Sequence, residues 1–525
     1  MLGGVLVLGA GNLLVKVIGL VFKIPLSRLL GDLGMGYFNT GYTVYSWLFL
    51  VGCTGFPVAV SMLVSEAVEA EDGKRGARSV LSLSLSFLFA VGLLGCLFLS
   101  AFADAIAIRI GNPGSAAAIG AIAPAVLFCS LSGAIRGYFQ GKKRMGPTAV
   151  SQLTEAALKL ILGIVFARRA LSLGYDLPAV AAEAIRGVTV GTVASAVYLF
   201  FELLFDLRKN PIKYKGRKRE KTGRLSRRLL KIALPVTFSA TVMSVTGLID
   251  LLLVMKRLVA SGYAPADATA LFGNYTTLAV PFFNLPGILI SPIATGIVPY
   301  VSGDLARGEK GKAIERTRTA IRSAVVLSLP AALVLGLFGE RILSLFFVRT
   351  SAALAAPSLA VLSPGIVFLS LVTVSGAVLQ ARGRANVTVF SMLTGAVVKG
   401  AAGYFLLGIP GVGINGAAIG TVLCYAVVAT INLTVLSFDA RHAFDLRDLT
   451  RPILPAGLAV ALAFPMQSIL PDRTTAFSTL FLLATVFLLY IPLSFLFGSV
   501  TLDDAESIPL LRKLTDRLRI RERAK

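Results

Sequence analysis

Apolar residues in this chain gather into long runs separated by short polar breaks. A helix needs about 20 mainly apolar residues to cross a bilayer. Windows of that length predict fourteen membrane-spanning helices, at 5–28, 38–64, 79–101, 115–139, 148–168, 180–205, 229–255, 270–300, 319–338, 352–379, 387–407, 412–436, 452–470 and 475–497. Between them lie short loops, a basic segment near 208–228 and a charged tail from about 502. The first run is expected to be an uncleaved span, because its start lacks a basic flank and no small-residue cleavage site follows. In the tail, Leu511, Leu514 and Leu518 share one face among arginines. That pattern suits a basic amphipathic helix on the inner leaflet or a solvated helix.

Two stretches repeat. Ile122–Lys159 and Leu362–Lys399 align without a gap at a shift of 240, with twelve of 38 pairs identical, including Pro124/Pro364, Gln140/Gln380, Ser151/Ser391 and Lys159/Lys399. At a shift of 235, Pro57, Gly73 and Gly76 match Pro292, Gly308 and Gly311. Spans 2–5 therefore match spans 8–11. Six spans per copy is an even number, so both copies keep one orientation, as in transporters built from parallel repeats. The expected organisation is an N-terminal helical bundle at 1–207, a basic cytoplasmic linker at 208–228, a C-terminal bundle at 229–437, two more spans within 438–499 and a basic tail at 500–525.

Composition agrees with a polytopic membrane protein: 525 residues, 56% hydrophobic and 15% charged, against about 25% charged in soluble proteins. The net charge of +24 is read by side of the membrane. Loops after even-numbered spans, together with the tail, hold 37 of the 51 Lys and Arg, counting Arg136 among them. By the positive-inside rule both termini are expected in the cytoplasm, and the charge reflects topology and attraction to an anionic inner leaflet, with no nucleic-acid partner. The four cysteines are far apart and form no C-x-x-C pair, so neither a metal site nor a disulfide is expected. His442 sits in a polar loop with no catalytic or metal cluster around it.

Charges inside spans are the candidate chemistry. In the first span Asn12, Lys16, Lys23 and Ser27 are spaced by four, seven and four residues, so they share one helical face; Arg28 ends the run. Lys16 lies about eleven residues from either end, roughly 17 Å along the axis. A lysine at that depth costs at least ~2.5–3.5 kcal/mol and is expected to face a wet cavity or an anionic ligand. The bland alternative is snorkelling, easiest for Lys23, or pairing with acids on other helices. Glu155 and Lys159 are four apart in the order that favours a local ion pair, leaving Lys159 open to pairing or to substrate. Lys399 has Gly395 where its repeat partner has Glu155. Asp250 suits a proton or sodium site, or a partner for Lys256 or Lys399. No nucleophile motif and no paired outer carboxylates support an enzyme.

Several stretches resemble the polysaccharide-export branch of the MOP flippases: Phe22–Tyr37, Gly55–Ser61 and Arg136–Glu155. Within it they are similar to the stage V sporulation protein B type and to MurJ-type lipid II flippases. The resemblance implies an all-α fold of two pseudo-symmetric six-helix bundles in a V, as in MATE transporters, plus two C-terminal helices. It implies a flippase in the bacterial cytoplasmic membrane, carrying a polyprenyl-pyrophosphate-linked glycan such as lipid II by alternating access, as a monomer with no cofactor. First-span basic residues of such proteins line the cavity; here those are Lys16, Lys23 and Arg28, with Arg257 as the further basic position. Lysine stands where arginine is usual at the first two, which keeps charge and loses the bidentate fork. Coupling is expected from membrane potential or from Na+ or H+ at Asp250, with Asn386 or Thr394. The alternatives are a cation-coupled multidrug exporter and a non-transporting scaffold for wall or spore assembly.

Overall fold

The computed structural model describes residues 2–53, 55–69, 73–210, 222–439, 446–465 and 476–499. The tail, His442 and most of the basic segment after Lys209 lie outside the described residues. The described chain is helical: α1 (Leu2–Cys53), α2 (Gly55–Glu69), α3 (Gly73–Ile110), α4 (Ala116–Gly141), α5 (Gly146–Ser172), α6 (Leu177–Lys209), α7 (Thr222–Ala260) and α8 (Pro265–Asn274). A π turn, Tyr275–Ala279, leads to α9 (Val280–Asn284), α10 (Gly287–Ala306), α11 (Lys310–Phe346), α12 (Arg349–Ala381), α13 (Ala385–Leu406) and α14 (Asn415–Asp439). The series ends with α15 (Leu446–Thr450), α16 (Ile453–Ala463) and α17 (Ala476–Leu496). Among the described residues ten helices are long and apolar enough to cross a membrane, and α16 is a shorter apolar helix. Large apolar side chains such as Leu94, Phe201, Val397 and Leu488 stand exposed on these helices, as a lipid-facing surface requires.

Three expected spans take a different form. The first two are joined without a loop: α1 runs on to Cys53 and breaks only at Gly31, where φ is 62° and ψ −177°. That backbone is open essentially to glycine alone, so the turn needs no further residues. The eighth span is divided into α8, the π turn, α9 and α10, with Pro281 at the start of α9 and Pro286 after it removing backbone donors.

The chain forms two compact units, 1–277 with 407–414, and 278–406 with 415–525. In the first, α4 is the central helix. Phe22, Leu26 and Leu30 of α1 meet Ile119, Ile122 and Ala123 of α4 and Ile185 and Val188 of α6 in one buried cluster. A second cluster joins Phe56, Val60 and Leu63 of α2 to Leu81 and Leu88 of α3, Phe139 of α4 and Leu225 and Leu229 of α7. Helices in lipid gain little from burying apolar surface against each other, so close backbone approach matters more. Gly137 and Gly141, four apart on α4, provide it: a Cβ there would stand 2.7 Å from the Pro57 carbonyl oxygen and 2.6 Å from that of Ser61, both on α2. Gly137→Leu is therefore expected to cost at least ~1–3 kcal/mol through overpacking. A lower melting temperature of the purified protein checks this, and an unchanged one would refute the close contact.

In the second unit α11 packs on α12, α13 on α14, and α16 on α17. Tyr490 of α17 donates a hydrogen bond to the Val326 carbonyl of α11 at 2.8 Å. The sequence repeat has a physical counterpart in each unit. In the first, Arg136 on α4 links Ser151 of α5 and Ser195 of α6. In the second, buried Asn432 on α14 links Ser375 of α12 and Ser391 of α13, the repeat partner of Ser151. Each unit thus ties three helices through one buried polar side chain.

The cysteine expectation fails at one position. Cys129, buried on α4, is disulfide-bonded, whereas Cys96 is free. Helix packing can pair cysteines that are distant in sequence, which spacing motifs cannot reveal.

Candidate functional site

The first unit encloses a cavity of about 410 Å³ between both arms of α1 and helices α4, α5 and α6. The first arm presents Val15, Ile18, Gly19 and Phe22 to it, and the second arm Tyr42, Tyr45, Ser46 and Phe49. The sharp turn at Gly31 lets one helix form two walls. Polar groups come from the opposite side: Arg136 of α4, with Gln152, Glu155 and Lys159 of α5.

Arg136 is buried, and its guanidinium donates to Ser151 Oγ at 3.0 Å, Glu155 Oε2 at 2.9 Å and Ser195 Oγ at 3.0 Å. Thr192 adds a long hydrogen bond, 3.4 Å, to the other Glu155 oxygen. Glu155 therefore pairs across helices with Arg136 rather than along its own helix with Lys159. Lys159 turns to α1 instead. Its ammonium donates to the Tyr42 hydroxyl at 2.6 Å and lies 4.1 Å from the Tyr42 ring centre and 5.8 Å from that of Phe22. Aromatic faces stabilise a cation without neutralising it. The Gln152 amide oxygen is buried without a hydrogen-bond partner among the described residues. Such groups are costly unless a water or ligand meets them.

The first-span lysines flank this cavity. Val15, Ile18, Gly19 and Phe22 form the lining stripe, and Lys16 and Lys23 lie about 100° further round the helix. Lys16 is exposed. Lys23 pairs with no acid among the described residues; its ammonium donates to the Thr276 carbonyl at 2.8 Å. That carbonyl belongs to the π turn, whose altered hydrogen-bond register suits contacts outside the helix. Lys159 is near enough to Lys23 for the two charges to repel.

A model of the polysaccharide biosynthesis protein family matches residues 1–303. The chain belongs to that family. A MatE model also matches, over residues 257–405. Stage V sporulation protein B of Bacillus subtilis (strain 168) is 26% identical over 442 residues, covering 83% of each chain. Lipid II flippase MurJ of the same organism is 24% identical, covering 88% of this chain and 87% of its own. A solved structure, lipid II flippase MurJ in an inward closed conformation, superposes with a TM-score of 0.73 at 14% identity, over 94% of this chain and 98% of that one. The fold is that of MOP-superfamily transporters.

The Arg136–Glu155 segment, which carried much of the family resemblance, now has a physical reading. It supplies the buried cation, its serine and carboxylate partners, and the two glycines seated on α2. Arg136 was sorted with the basic loops on sequence, yet it lies inside the bundle. Its nearness to the end of an apolar run concealed this, and the one available signal was the serine and acid that follow at 151 and 155.

The other candidates lie elsewhere. Arg28 is exposed and roughly 130° from the Lys16 and Lys23 stripe. Arg257, near the end of α7, has its guanidinium against Gly408. Asp250 is buried on α7. In the second unit Lys399 is buried on α13, with Gly420 of α14 against its backbone. Also on α13, Asn386 is exposed, and Thr394 donates to the Phe390 carbonyl of its own helix at 3.0 Å. The side chain of Asn12 lies outside the described residues. No group of three His, Cys, Asp or Glu able to hold a metal ion occurs among the described residues.

Proposed function

We propose that this protein is a flippase for a polyprenyl-pyrophosphate-linked glycan, with lipid II as the leading substrate, in the bacterial plasma membrane with both termini cytoplasmic. The observation that carries this is the charge balance of the α1/α4/α5 cavity. Lys159 lines it and Lys23 and Lys16 flank it, while Glu155, the one acid among the described lining residues, is already neutralised by Arg136. A pyrophosphate cannot enter hydrocarbon without replacement of its hydration. Ammonium groups and unsatisfied polar atoms in a cavity supply that replacement, while a polyprenyl chain can remain in lipid. Membrane potential, or Na+ or H+ at Asp250 with Asn386 or Thr394, would drive the cycle.

A cation-coupled multidrug exporter is the second reading, favoured by the presence of a carboxylate in the cavity and by the MatE match. The Arg136 ion pair weighs against it, since a neutralised carboxylate attracts organic cations poorly. Depletion of the protein in a strain without a redundant flippase decides between them. Surface-exposed lipid II is expected to fall, and to be restored by the wild-type gene but at most weakly by the Lys16→Ala/Lys23→Ala variant. Normal exposure after depletion would refute the flippase reading, and full rescue by the double variant would remove the flanking lysines from it.

A further inference from the structure

A second pocket, of about 590 Å³, lies at the end of the first unit where α2 meets α3, α4 turns into α5 and α6 ends. Among the described residues its lining holds five basic side chains, Lys74, Arg78, Lys142, Arg144 and Lys209, against one acid, Asp206.

The cations are of two kinds. Three are fixed by the fold. Asp206 is 3% exposed, and its carboxylate accepts from Lys142 at 2.6 Å, Arg144 at 2.8 Å and the Tyr138 hydroxyl at 3.1 Å. Arg144 also pairs with Glu202. Arg78 donates to the Leu207 and Asn210 carbonyls at 2.8 and 2.6 Å, closing the C-terminal end of α6. These interactions position the pocket floor and leave it cationic. Lys74 and Lys209 are exposed at the rim and make no ion pair or hydrogen bond among the described residues. Apolar side chains complete the rim: Phe205 is 62% exposed and Val68 44%. Free phosphate has no use for an exposed phenyl ring beside a cationic pocket. A lipid has, because its headgroup and its chains part company at a membrane surface.

We propose that this pocket binds the phosphate of an anionic phospholipid, with Lys74 and Lys209 contacting the phosphate and Phe205 and Val68 meeting its chains. The site is separate from the α1/α4/α5 cavity and stands whether or not the transported substrate is lipid II.

The test uses full-length protein, delipidated in a neutral maltoside detergent and titrated with dioleoyl phosphatidylglycerol or dioleoyl phosphatidylcholine, with binding read by native mass spectrometry. Wild type is expected to prefer phosphatidylglycerol by about tenfold, a preference that Lys74→Ala/Lys209→Ala largely abolishes. Both lysines are exposed, so the lipid-free melting temperature should be unchanged. If the double variant does not fold, Lys74→Gln alone is expected to weaken phosphatidylglycerol binding several-fold. Equal binding of the two lipids by wild type, or undiminished preference in the folded variant, would overturn the proposal. Displacement of phosphatidylglycerol by millimolar inorganic phosphate would assign the pocket to a soluble anion and overturn the lipid. Loss of preference in Lys159→Ala instead would place the lipid in the other cavity, with the same consequence.

Discussion

Glu155→Ala is expected to destabilise the protein by about 3 kcal/mol, the low end of the range for breaking a buried ion pair. The carboxylate is 22% exposed to the cavity and Arg136 is 8% exposed, so water can relieve only part of the lost interaction. Arginine cannot shed its charge. With the carboxylate removed, a buried guanidinium would be left with two serine hydroxyls, Ser151 and Ser195, as its hydrogen-bond acceptors. Glu155→Gln keeps an acceptor and loses the charge, so its cost should be smaller, about 1–3 kcal/mol. In Arg136→Met/Glu155→Leu neither buried charge remains, and stability should largely return, as it does when a buried pair is replaced by apolar residues of similar volume. Thermal unfolding of the purified protein in detergent reads all three. Equal melting temperatures for wild type and Glu155→Ala would show that the pair does not hold α4 to α5. Transport should not return with stability in the double variant, since the cavity would have lost its polar wall.

Lys159→Glu is expected to lower transport by at least about 100-fold. A charge-assisted hydrogen bond to phosphate is worth about 1.5–3 kcal/mol, or roughly 10–100-fold, so Lys159→Ala should fall in that range. Reversal goes further, because it places two carboxylates four residues apart on α5 facing an anionic substrate. Lys159→Arg keeps the charge and stacks well on aromatic faces, so it should stay within about tenfold of wild type. Tyr42→Phe separates the roles of the partner ring: it deletes the 2.6 Å hydrogen bond and retains the aromatic face, and only a few-fold loss is expected. Translocation of a labelled polyprenyl-pyrophosphate glycan in proteoliposomes measures the series. Transport by Lys159→Glu at the wild-type rate would eliminate Lys159 as a substrate contact.

Much of the helical architecture was legible along the chain, because a bilayer demands long apolar runs whose length is set by its thickness. The repeat was legible too, since Ser151 and Ser391 mark equivalent turns of α5 and α13. The joints were not. Gly31 is one glycine among 51, and nothing local distinguishes the one that folds a continuous helix into two arms. The cavity was only half legible. The periodicity of the first span singled out Lys16 and Lys23, yet the face turned to the cavity is the neighbouring stripe of Val15, Ile18, Gly19 and Phe22. A charge inside a span reveals that something must satisfy it without revealing what. For Lys23 the partner is a carbonyl 253 residues away. For Glu155 it is an arginine on the preceding helix, where the spacing favoured the lysine on its own.

What the sequence by itself determined is thus the set of apolar helices, their duplication and the excess of cations within and beside them. These follow from composition and period, which act along one chain direction. Only the tertiary structure decided which cations pair with a carboxylate, which meet a hydroxyl or carbonyl instead, and that Arg136 belongs to the bundle interior. Those outcomes depend on distances between helices, and at a separation of a few ångströms in a low-dielectric interior the choice of partner outweighs any preference written into local spacing.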